Sequence, residues 1–147
     1  MGMRQVSATR VINAAPGVIF DLLADPAKHP VIDGSGTVVA AVGEEGRRLK
    51  LGDRFGMDMK MGLPYKIRNT VVEFEEGRLI AWRHFYGHRW RWQLKDLGDG
   101  RTEVTETFDW STARIGLLLE WVRFPGKNLK SIRATLERLD KMFPAPA

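Results

Sequence analysis

From Gly36 to Trp110 the chain is a succession of short alternating segments separated by glycine-bearing turns, a pattern that few folds satisfy. Thr37 to Val42 is rich in β-branched residues, and Gly43–Glu44–Glu45–Gly46 reads as a turn. Gly52–Asp53 then introduces Arg54 to Met61, which alternates strictly. Phe55, Met57, Met59 and Met61 take one side, and Arg54, Gly56, Asp58 and Lys60 the other. Gly62–Leu63–Pro64 turns the chain into a strand from Tyr65 to Phe74, and Glu75–Glu76–Gly77–Arg78 turns it again. Leu79 to Phe85 carries Ile80, Trp82 and His84 on one face. After Tyr86–Gly87–His88, Arg89 to Asp96 sets Trp90, Trp92 and Leu94 against Arg89, Arg91, Gln93 and Lys95. Leu97–Gly98–Asp99–Gly100 is a strong hairpin signal, because glycine tolerates positive φ. Arg101 to Trp110 closes the set, with Val104, Glu106, Phe108 and Trp110 in phase. Consecutive strands joined by tight turns predict an antiparallel sheet.

The flanks differ. Met3 to Ile12 predicts a first strand. Asn13–Ala14–Ala15–Pro16 predicts a helix start, with Asn13 as cap, Pro16 in the first turn, and Val18, Ile19, Leu22 and Leu23 as the apolar stripe. Asp25–Pro26 ends that helix, and Lys28–His29–Pro30 begins a second short helical or irregular turn. In the tail, Leu129, Ile132, Leu136, Leu139 and Phe143 or Met142 form one helical stripe. Pro125–Gly126 separates or kinks it from the apolar stretch Ile115 to Phe124. A sheet with one apolar face must be covered, and only the final helix is long enough to do so. The expected class is α+β. A curved antiparallel sheet of about seven strands wraps around a long C-terminal helix, with two short helices after the first strand.

Composition narrows the function. At 147 residues and 44% hydrophobic, the chain is expected to form a single globular domain over 1–147. There is no cysteine, which excludes disulfides, thiol catalysis and cysteine-bound metals. Neither terminus carries a signal-like or membrane-spanning run; Ile115 to Leu119 is broken at once by Glu120, and a cytoplasmic protein is expected. The net charge of +5 comes from 23 Lys and Arg scattered among 18 acids, the mark of a solvated surface rather than a polyanion site. Arg89–Trp90–Arg91–Trp92 mimics a nucleic-acid stacking motif. In a strand, however, its tryptophans and arginines point to opposite faces, so no nucleic-acid partner is expected.

Several strings resemble the START-like superfamily, also called SRPBCC or the polyketide cyclase/dehydrase family. They are Val11–Ile12–Asn13–Ala14–Ala15–Pro16 with Val18 to Asp25, the paired segments His88 to Leu94 and Gly100 to Trp110, and the tail from Asn128 through Leu139. The resemblance covers nearly the whole chain and implies the helix-grip fold. Its functional implication is broad, since members include lipid carriers, cyclases, quinone chaperones and hormone receptors.

Residues of the expected inner face divide into apolar and polar candidates. Phe55, Met57, Met59 and Met61, with Trp82, Trp90, Trp92 and Phe108, would line a ligand cavity or simply fill the core. Tyr65 and Asn69 share a strand face and are polar candidates. His84 and Glu106 fall in apolar phase and are the candidate proton-transfer groups. A buried acid must be paired or stay protonated, although a bulge would turn Glu106 to water. None of His29, His84 and His88 has metal-ligand spacing, and neither a phosphate loop nor a nucleophile elbow is present, so no metal or cofactor is expected.

The leading expectation is binding or transport of a small hydrophobic, lipid-like or aromatic ligand in an internal cavity. The first alternative is a cyclase, aromatase or dehydratase using His84 and Glu106. The second is a basic interaction module in which Ile115 to Phe124, carrying Trp121, forms a gate or contact helix. Peripheral membrane contact and the choice between monomer and homodimer stay open.

Overall fold

The computed structural model describes residues 5–34, 38–42, 48–61, 63–83, 87–111 and 124–144; at 38–42, 59–61, 63–66 and 124–127 only the backbone course is described. Seven strands form one antiparallel sheet: β1 (Gln5–Ile12), β2 (Val38–Val42), β3 (Arg54–Met61), β4 (Leu63–Glu75), β5 (Leu79–Arg83), β6 (Arg89–Gly98) and β7 (Arg101–Asp109). Their order is β1-β7-β6-β5-β4-β3-β2, so the first strand pairs with the last and β2 forms the opposite edge. Register breaks at Val38/Ala40, Val71/Glu73 and Asp96/Gly98 add local twist, which bends a sheet into a trough. The β6–β7 hairpin turns through three successive left-handed residues, Gly98 (φ 80°), Asp99 (φ 56°) and Gly100 (φ 72°). Leu63 and Pro64 belong to β4 rather than to the expected turn, since β3 and β4 pair as far as Met61↔Leu63.

After β1 come α1 (Pro16–Leu23), a 3-10 turn (Pro26–Lys28) and α2 (His29–Ile32). Asn13 does not cap α1. Ala15 takes the cap position, its carbonyl accepting the Val18 and Ile19 N–H groups, so the helix begins too late for the Asn13 side chain to reach it. The Asp25 carboxylate caps the 3-10 turn, accepting the Ala27 N–H at 3.0 Å. The last helix, α3 (Phe124–Met142), has Pro125 and Gly126 in its first turn.

α3 lies across β1 and β7 and buries Ile132, Leu136 and Leu139. Phe143 completes the stripe half-buried, while Met142 is exposed. Two contacts fix α2 to the same helix. The Gly34 N–H donates to Thr135 Oγ1 at 2.8 Å, and Arg138 donates to the Val31 carbonyl at 3.0 Å. A Cβ at Gly34 would come within 2.5 Å of the Ala134 backbone, so only glycine permits this approach.

The register assigns the faces. Ile80, Trp92, Glu106 and Ala8 form one row across β5, β6, β7 and β1; Val71, Trp82, Trp90, Phe108 and Val6 form the next. This face meets α3 through Arg10, whose guanidinium pairs with Asp140 at 2.7 Å. On the opposite face Ala81 sits between Glu73 and Arg91. With so small a residue between them, Arg91 reaches over β5 to make two bonds to Glu73 (2.9 and 2.7 Å) and one to Asp109 (3.2 Å). Burial of Ala81 beneath this clasp makes β5 covered on both faces.

Candidate functional site

The inner face gathers most of the expected residues. Phe55, Met57, Trp82, Trp92 and Phe108 are buried, and Trp90 is half-buried against them. They form two aromatic groups. In the first, Trp82 meets Phe55 edge-on at 5.5 Å and stacks on His29 at 4.8 Å. In the second, Phe108 contacts Trp90 at 4.9 Å, Trp110 at 5.7 Å and His88 at 5.3 Å. Met59, Met61 and Tyr65 hold strand positions beside these, with Met59 opposite Tyr65, but their side chains lie outside the described residues. His84 lies outside them altogether, as does the stretch 112–123 with Trp121.

The polar candidates are buried with unusual consequences. Glu106 is 6% exposed and Asn69 3% exposed, and Trp92, directly opposite Glu106 in register, is 2% exposed. Glu106 Oε1, Asn69 Oδ1 and Trp92 Nε1 have no hydrogen-bond partner among the described residues, nor has Asn128 Nδ2 on α3. Each unsatisfied buried polar group costs on the order of 1–3 kcal/mol, so their collection on one face demands an explanation. No bulge interrupts β7 near Glu106, and its alternation carries the carboxyl inward as expected. Burial pushes the Glu106 pKa well above its ordinary value, and the Asp33 carboxylate adds to the rise.

His29 was not among the sequence candidates. Its Nε2 donates to the Leu23 carbonyl at 2.8 Å, which leaves Nδ1 as the lone-pair nitrogen of a neutral ring. Burial lowers its pKa against the opposing pull of that hydrogen bond and of Asp25 and Asp33. Lys28–His29–Pro30 reads locally as a turn, and the long-range ring contacts with Trp82 and Phe55 mark it as interior. His88 is likewise held down by burial, to about 4.

The outer face of the sheet carries two half-buried cations. Among the residues whose side chains are described every Lys and Arg is exposed except Arg89 and Arg91, both half-buried and bonded to Glu73 on the outer face. The Arg91 hydrogen bond is the main reason the Glu73 pKa falls. A depression of about 440 Å³ lies on the same side, lined by charged residues such as Glu75, Arg78, Lys95 and Glu103; it does not adjoin Glu106 or Asn69. No group of three or more metal-ligating side chains occurs among the described residues. No helix among them is long and apolar enough to cross a membrane.

A family model described as polyketide cyclase / dehydrase and lipid transport matches residues 3–143. The uncharacterized protein Rv0088 of Mycobacterium tuberculosis is 37% identical over 97% of this chain. The chain spans 65% of that relative's length. Among solved structures, protein Ms6760 from Mycobacterium smegmatis superposes with a TM-score of 0.72 at 16% identity, covering 95% of this chain and 90% of that one. Ginseng major latex-like protein 151 from Panax ginseng gives 0.73 at 14% identity, over 96% and 97% of the two chains. These structural likenesses bear out the expected helix-grip fold.

Proposed function

Because the chain belongs to the polyketide cyclase / dehydrase and lipid transport family, we propose that it binds a small hydrophobic ligand between the inner face of the sheet and α3. One observation carries this reading. Buried polar atoms of Asn69, Trp92 and Glu106 share an otherwise apolar face and lack partners among the described residues. A few polar groups set in an apolar wall are what orients a ligand in a pocket. Phe55, Met57, Trp82, Trp90 and Phe108 would supply the wall, and Met59, Met61 and Tyr65 extend the same strands. Native mass spectrometry of the purified protein, followed by extraction, tests the reading. A defined bound compound supports it; a clean apo mass with no displaceable ligand across lipid and aromatic panels removes it.

A second reading, a cyclase or dehydratase, is favoured by the buried Glu106, whose pKa burial raises. A carboxyl whose pKa is raised by burial is a better-matched proton donor to a ligand carbonyl than an ordinary one, and the His29 ring can accept a proton. His84, the other proton-transfer candidate, stands on its strand phase alone. Turnover of the extracted compound, abolished by Glu106→Gln, distinguishes this reading from carriage.

A further inference from the structure

Charge is sorted between the two faces of the sheet, and this sorting bears on what the interior accepts. Among the residues whose side chains are described no lysine or arginine is buried, and the two half-buried arginines are committed to Glu73 and Asp109 on the outer face. Arg10 approaches the α3 side but is exposed and paired with Asp140. The interior instead holds the carboxyl of Glu106, with the Asp33 carboxylate close enough to act on it. A ligand carboxylate entering here would lose its hydration and find no described cation to offset the loss. That combination costs several kcal/mol.

The unsatisfied atoms define the converse preference. The Trp92 indole N–H is a donor only and requires an acceptor. Glu106 is its direct cross-strand neighbour, and such pairs have Cβ atoms roughly 5 Å apart. One ligand oxygen can therefore be reached from both.

Resting on the ligand-binding reading above, we propose that the interior selects an uncharged ligand bearing a hydroxyl or carbonyl oxygen, bound between the Trp92 N–H and the Glu106 carboxyl, and excludes free carboxylates. The Trp92–Glu106 pair is the specificity determinant, and the lack of a described counter-charge disfavours anions.

The test compares 2-naphthol with 2-naphthoate, which share a ring system and differ in charge at neutral pH, by calorimetry on the intact chain. The expected result is that 2-naphthol binds at least about tenfold more tightly than 2-naphthoate. Trp92→Phe, which deletes the N–H and keeps an aromatic ring, should weaken 2-naphthol by about three- to tenfold, the value of one hydrogen bond. Glu106→Gln, which keeps a donor and an acceptor, should retain 2-naphthol binding, whereas Glu106→Leu should weaken it. Circular dichroism confirms that each variant is folded, and Trp92→Phe carries the test if a Glu106 variant is not. Equal binding of the two probes overturns the charge selection while leaving ligand binding intact. Undiminished 2-naphthol binding by Trp92→Phe overturns the placement of the oxygen. Binding of neither probe, together with a clean apo mass, overturns the ligand-binding reading and this proposal with it.

Discussion

Replacing Glu106 by glutamine should stabilise the protein at neutral pH and do almost nothing in acid. In the unfolded chain Glu106 ionises with an ordinary value of 4.5, whereas burial keeps it protonated in the folded protein well above that pH. Below 4.5 both states hold the proton, and the group's contribution to stability is fully present. As pH rises past 4.5 the unfolded state gains by ionising, and folding loses about 1.4 kcal/mol per pH unit until the folded carboxyl also titrates. Across two units the difference accumulates to about 2–3 kcal/mol for as long as the folded group stays protonated. Glutamine is nearly isosteric and cannot ionise, so it removes this loss. The assay is urea denaturation of wild type and Glu106→Gln at intervals from acid to neutral pH. Subtraction cancels titrations common to both proteins, including those of His29 and His88. A difference that stays flat with pH, or that favours the wild type more as pH rises, would refute an inward, protonated Glu106.

Three further outcomes follow from the geometry. The His88 ring should hold its neutral NMR shifts down to about pH 4, since burial opposes its protonation; titration near 6.5 would mean the ring is solvated. Gly34→Ala should cost about 1–3 kcal/mol in urea denaturation, because the new methyl meets the α3 backbone at 2.5 Å and must force the two elements apart. Leu139→Ala, a cavity under the fully buried end of the α3 stripe, should cost about 2–5 kcal/mol by the same measurement. A loss under about 1 kcal/mol there would mean that α3 packs less closely than described.

Much of this fold is legible in the sequence because sheets write themselves in a two-residue period. The phase of Val104, Glu106 and Phe108 carried the carboxyl inward, and the Leu97–Gly98–Asp99–Gly100 turn formed where three left-handed residues were affordable. What escaped was set by contacts between distant elements. Asn13 has a capping side chain but stands too far before Pro16, a matter of where the backbone turns. His29 looks like a turn residue until Trp82, far along the chain, supplies its stacking partner. The row Glu73, Ala81, Arg91 is equally hidden, since its members touch only after β4, β5 and β6 are in register. Unpartnered polar atoms were beyond sequence reasoning too: phase says which way a side chain points and not whom it meets.

The pairing of β1 with β7 also sets an order of events. Gln5 leaves the ribosome 104 residues before its partner Asp109. The neighbours β3 through β7 can zip hairpin by hairpin as they appear, while β1 waits with an unpaired edge until β7 is made. Closing so long a loop carries a large entropic barrier and places this protein among slowly folding, high-contact-order topologies. β1 and α3 should dock late and together, and a nascent chain arrested before β7 should be the form most prone to aggregate.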